Sequence, residues 1–135
     1  VCRNEFERIV KPGGLVVLIW NDRLTQNDFA KEYDKLIVKF SNDYQSVDHR
    51  NIDRKSIEDF CAPYLVALEV FSNKQVFDFD GLKGRLLSSS DAPKEQDENY
   101  PAMIRDLMAL FNDYQQDNKI EIMYDTNVYV SRFEI

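Results

Sequence analysis

With 135 residues, 44% of them hydrophobic and 13% aromatic, the chain has material for one ordered core and is too apolar for intrinsic disorder. A net charge of −7 argues against a nucleic-acid partner, whose phosphates need clustered cations. No apolar run reaches the roughly 20 residues that span a bilayer, so neither a membrane span nor a signal peptide is expected.

The chain opens with Phe6, Ile9 and Val10 at helical spacing, and Arg8 and Lys11 lie where cations suit a helix carboxyl end. Pro12 stops that helix, and Gly13-Gly14 supply the freedom to reverse. Residues 15–20, Leu-Val-Val-Leu-Ile-Trp, are too short an apolar run for a helix and predict a strand covered on both faces. Polar Asn21-Asp22-Arg23 ends it. Residues 27–40 carry Phe29, Tyr33, Leu36, Ile37 and Phe40, an amphipathic helix capped by Asn27 or Thr25. Residues 41–51 read as a polar loop, and residues 53–60 as a short helix capped by Asp53, with Pro63 beyond its end. Residues 65–71 alternate as a strand, and residues 75–79 continue or pair with it after a Ser72-Asn73 turn. A short helix over residues 81–87 precedes residues 88–99, whose composition is that of a mobile loop. Pro101 opens a helix whose broad apolar face holds Met103, Ile104, Leu107, Met108, Leu110, Phe111 and Tyr114. After an Asp117-Asn118 turn, residues 119–133 alternate as a strand, broken near Thr126-Asn127 by a bulge or a tight hairpin. The pattern is α/β: a small sheet with helices on its faces.

The run Glu5 to Arg23, with its Arg-Ile-Val-Lys-Pro-Gly-Gly-Leu-Val-Val-Leu-Ile-Trp-Asn core, resembles the segment leading into the fifth strand of class I S-adenosylmethionine-dependent methyltransferases. The similarity is to the branch that includes enzymes of the trans-aconitate type. Phe79-Asp80-Gly81-Leu82 with Gly84 to Ser90, and then Tyr124-Asp125-Thr126-Asn127-Val128-Tyr129, resemble that family's later segments in the same order. The resemblance spans nearly all of residues 1–135 but only the carboxyl-terminal, substrate-side half of the family's Rossmann-like domain. It implies a sheet of the fifth, seventh and sixth strands, with the last strand antiparallel between the other two. It also implies that S-adenosylmethionine serves the parent protein and is bound outside this chain. No glycine-rich cofactor loop occurs here, no acidic residue stands where a ribose would be clasped, and Gly13-Gly14 precede a strand instead of opening a helix.

Ligands of open α/β sheets lie at the carboxyl ends of strands, which makes Trp20, Asn21, Asp22 and Arg23 candidates for a wall of the substrate cleft. Strand-end capping is their alternative role. Arg85 can face a substrate carboxylate or pair on the surface, and Ser89, within Leu87-Ser88-Ser89-Ser90, can bind substrate or merely line a polar loop. Tyr124 and Tyr129 suit a core edge, and His49 an exposed loop. Asp78-Phe79-Asp80-Gly81 lacks the remaining ligands of a calcium loop, so no metal is expected. Cys2 and Cys61 are expected to be buried thiols of a cytoplasmic protein, with a disulfide as the alternative.

The resemblance implies part of a methyltransferase acting on a small molecule, with the fragment itself inactive. A non-catalytic interaction or self-assembling domain is the second reading. If residues 15–20 form an interior strand of a larger sheet, this chain alone exposes that edge and is expected to form a homodimer through it.

Overall fold

A computed structural model describes residues 2–41 and 53–134. Their order is α1 (Cys2–Ile9), β1 (Gly14–Arg23), α2 (Asp28–Phe40), α3 (Arg54–Cys61), β2 (Val66–Phe77), α4 (Phe79–Leu87), α5 (Tyr100–Tyr114) and β3 (Ile120–Phe133). His49 and all but Ser41 of the expected loop over residues 41–51 lie outside the described residues.

The elements form an α/β arrangement around one three-stranded sheet of order β1-β3-β2. The last strand is central. It runs against β1: Gly13 N–H donates to Phe133 O at one end, and Leu24 N–H to Met123 O at the other. Against β2, Asn73 lies by Thr126 and Lys74 by Glu121, so that pairing is antiparallel too.

Contacts divide the described residues into two compact units. The first draws on the described residues 2–22, 53–73 and 124–134. Its core joins Val16 of β1, Ile57 and Cys61 of α3, and Tyr129 and Phe133 of β3, with Phe6, Leu18, Trp20 and Tyr64 packed against them. Arg3 ties α1 to this core. Its guanidinium donates to the Phe60 carbonyl and to Glu7, and lies 5.3 Å from the Phe133 ring centre. The second unit draws on the described residues 23–41 and 74–123. There Phe29, Tyr33, Leu36 and Phe40 line one face of α2, and Leu107, Leu110 and Phe111 one face of α5. The Phe29 and Tyr114 rings meet edge-on at 5.9 Å, and those of Phe79 and Phe111 at 5.6 Å.

Side-chain caps start three helices: Asn27 accepts from Ala30 N–H, Asp53 from Ser56 N–H, and Asp78 from Gly81 N–H. Asp117 and Asn118 have φ of 51° and 61°, the left-handed pair of a two-residue hairpin turn, and Gln116 and Lys119 exchange both backbone bonds across it.

Five expectations need correction. β1 is not covered on both faces: Leu15, Val17 and Ile19 are 53%, 46% and 61% exposed, because the face they share stays open among the described residues while Val16 is buried on the other. Residues 65–79 hold no turn at Ser72-Asn73; β2 runs unbroken from Val66 to Phe77, because pairing with β3 holds the polar residues extended. Of the two alternatives at Thr126-Asn127 the hairpin is excluded, since β3 continues through it, and a bulge is the one compatible with the strand. The buried set does change phase there, from Ile120, Ile122 and Tyr124 to Tyr129, Ser131 and Phe133. The stretch 88–99, mobile in composition, is pinned by buried Ala92 and Pro93 and by Lys94 Nζ on the Leu87 and Ser89 carbonyls. Cys2 is exposed, and only Cys61 is buried; both are free thiols.

Candidate functional site

In the first unit the strand end is organised by hydrogen bonds across the sheet. Asn73 Nδ2 of β2 donates to Thr126 Oγ1 at 3.2 Å, and that hydroxyl donates to Asn21 Oδ1 of β1 at 2.6 Å. One residue on, Asn127 Nδ2 donates to Asp22 Oδ2 at 2.6 Å. Each pair places a β3 side chain beside β1, so the central strand sets the orientation of Asn21 and Asp22 from within the sheet. With Oδ1 engaged by Thr126, the exposed Asn21 directs its amide N–H groups away from that bond. Trp20 turns the other way. It stacks on Tyr129 at 5.0 Å, half-buried against the core, and this is a packing role.

Arg23 belongs to the second unit. Its Nη2 pairs with Asp34 Oδ1 of α2 at 3.0 Å, and its guanidinium lies 5.1 Å from the Tyr33 ring centre. The side chain is 14% exposed, and Nη1 is buried with no hydrogen-bond partner among the described residues. The guanidinium is thus clamped through one nitrogen and leaves a buried one unpaired, a costly arrangement for a charged group. Asp34 also borders an open cleft of about 370 Å³ lined by Thr25, Asp28, Lys31, Lys35 and Tyr114 among others. Cations and carboxylates alternate along α2 there, and Lys35 is drawn above its ordinary pKa by its bond to Glu32.

Ser89 is committed elsewhere in the second unit. Its hydroxyl donates to Asp91 Oδ1, while Ser41 donates to Asp91 Oδ2 at 2.6 Å. These two hydroxyls hold the Asp91 carboxyl below its usual pKa. Arg85 is half-buried on α4, and its carbonyl accepts from the Ser88 hydroxyl. The five candidates therefore separate: Trp20 and Asn21 fall in one unit, and Arg23, Arg85 and Ser89 in the other. Sequence reading missed Asn73, Thr126, Asn127 and Asp34 as the groups that orient the strand end. The signal for two of them was there, since Thr126-Asn127 is the polar break in an apolar alternation.

The glycines do not fit a cofactor cradle. The Cβ position of Gly14 is filled by Val10 Cγ1 at 2.7 Å and Lys11 O at 2.8 Å, while Gly81 and Gly84 lie within α4. Gly13, at φ 77°, turns the chain into β1. Gly81 lies in the first turn of α4, directly after β2, but its N–H is taken by Asp78 Oδ1, and none of the other three opens a helix after a strand. No protein-family model and no curated protein matches this chain.

Proposed function

We propose that the chain is the substrate-side part of an S-adenosylmethionine-dependent methyltransferase acting on a small molecule, with the cofactor held by residues outside these 135. One observation carries the reading: the last strand lies between the first two and runs against both, the order that the resemblance of Glu5 to Arg23 implies. Asn21, in the first unit, is the residue proposed to meet substrate, because it is exposed and offers oriented amide donors. Arg23, in the second unit, is proposed separately as a substrate-side residue, though its unpaired guanidinium nitrogen is buried. Trp20 supports the strand end by packing, and Arg85 and Ser89 are secondary candidates. Because the glycines do not fit the cofactor, these residues are assigned substrate orientation and no step of methyl transfer.

A cytoplasmic location is proposed on the two free thiols, which suit a reducing compartment. Among the described residues no helix is long and apolar enough to cross a membrane.

The decisive observation is the coding sequence ahead of the Val1 codon. A strand, a glycine-rich turn and an acidic second-strand end there support the reading, and an unrelated domain overturns it. In the enzyme containing those elements, Asn21→Ala is expected to lower turnover at least about tenfold with thermal stability nearly unchanged, since the side chain is exposed. Isothermal titration of the chain alone with S-adenosylmethionine is expected to give no saturable heat, and low-micromolar binding would contradict the assignment of the cofactor to other residues. The second reading, a self-assembling domain, rests on the exposed apolar residues of β1.

A further inference from the structure

Three side chains, one from each strand of the sheet, are linked in series at the carboxyl end of β1. Asn73 Nδ2 donates to Thr126 Oγ1 at 3.2 Å, and Thr126 Oγ1 donates to Asn21 Oδ1 at 2.6 Å. A threonine hydroxyl has a single proton, and here the Asn73 donor occupies its accepting side. The proton therefore goes to Asn21, whose carboxamide oxygen is held toward β3 while its NH2 becomes the outer end. Among the described residues that NH2 has no partner, and Asn21 is exposed. Asp22 projects from the opposite face, where Asn127 Nδ2 holds its carboxylate at 2.6 Å.

We propose that Thr126 and Asn73 are positioning residues that lock the Asn21 carboxamide donor-outward, so that the strand end takes a ligand group with a bare acceptor oxygen, a carbonyl or carboxylate. A group presenting N–H there meets another N–H and leaves both unpaired. Simple strand-end capping needs no such direction, since a carboxamide of either orientation can be solvated at an exposed position. The lock matters because a freely turning carboxamide offers its donors only part of the time, and apparent affinity falls with that fraction. That the ligand is the substrate rests on the function proposed above; the orientation and its preference are properties of this chain.

Neutron diffraction from crystals of the chain is expected to place the Thr126 deuteron toward Asn21 Oδ1 and both Asn21 amide deuterons outward. The reverse relay, with Asn21 donating to Thr126 and Thr126 to Asn73, overturns the proposal. Acetate and methylammonium, at constant ionic strength, serve as probes in solution, read on the Asn21 side-chain amide signals by heteronuclear NMR. Acetate is expected to shift them saturably, and methylammonium to leave them in place. Thr126→Val keeps the shape without the hydroxyl. It is expected to weaken the acetate response about twofold or more and to admit methylammonium, whereas Thr126→Ser keeps the original pattern. Asn21 signals indifferent to acetate, or equally responsive to both probes in the unsubstituted chain, overturn the ligand preference. Those results leave methyl transfer untouched, because the coding sequence ahead of Val1 decides that reading on its own.

Discussion

The two units bury their apolar residues by different means. In the second, the apolar faces of α2 and α5 end in aromatic contacts such as Phe29 on Tyr114 and Phe79 on Phe111, and Leu82 and Leu107 reach zero exposure. In the first, Val16, Tyr129 and Phe133 are buried with Ile57 and Cys61 of α3, whereas Leu15, Val17 and Ile19 of the same strand stay in water. An apolar run states what a segment can bury. Whether it does so depends on what stands opposite, and residues 15–20 carry both outcomes in six consecutive positions.

That contrast can be measured directly. Phe133→Ala in the first unit is expected to cost about 3–5 kcal/mol and Leu107→Ala in the second about 2–5 kcal/mol, since both side chains have zero exposure. Ile19→Ala is expected to change stability by no more than about 0.5 kcal/mol in dilute chain. Urea denaturation at low concentration checks all three. A cost near that of a core residue at Ile19 would mean that the β1 face is covered in the monomer, and the contrast would fail.

Glycines sharpen the comparison at lower energy. Gly14 is held by steric need, with Val10 Cγ1 at 2.7 Å and the Lys11 carbonyl at 2.8 Å from the place a Cβ would take. Gly14→Ala must displace backbone and is expected to cost about 1–3 kcal/mol. Gly84, within α4 of the second unit, has nothing within 4 Å of that place. There alanine removes the entropic penalty of a helical glycine and is expected to stabilise by about 0.5–1 kcal/mol. Thermal denaturation of the pair gives opposite signs if the turn before β1 is crowded and α4 is open.

Local signals survived into the fold where the cause was local. The helix caps at Asn27 and Asp53, the Asp117-Asn118 turn and the apolar faces of α2 and α5 rest on residues a few positions apart, so they were legible. What depended on pairing was not. Ser72-Asn73 reads as a turn in isolation but is held extended beside β3, and Thr126-Asn127 reads as an interruption but supplies the bonds that orient Asn21 and Asp22. Position along the chain placed Asn21 and Arg23 at the carboxyl end of β1, where the structure has them. It gave no hint that Arg23 would be clamped by Asp34, eleven residues on, or that Ser89 would be bound by Asp91.

The smallest expected effect concerns that last loop, where acid should act on the second unit. Ser41 and Ser89 both donate to Asp91, and these bonds favour the carboxylate, so its pKa in the folded chain lies below the ordinary value. A depressed carboxyl pKa adds stability that is fully present above the unfolded value, about 3.9. It is lost as pH falls from there through the folded value. Asp91→Asn keeps the shape and an acceptor but cannot ionise. It is therefore expected to be slightly less stable than the unsubstituted chain at neutral pH, and the gap should close as pH drops below about 4. Urea midpoints across an acid pH series measure this. A gap that stays constant down to the lowest pH would mean that Asp91 serves by shape and neutral hydrogen bonding, with its charge contributing nothing to the order of the 88–99 stretch.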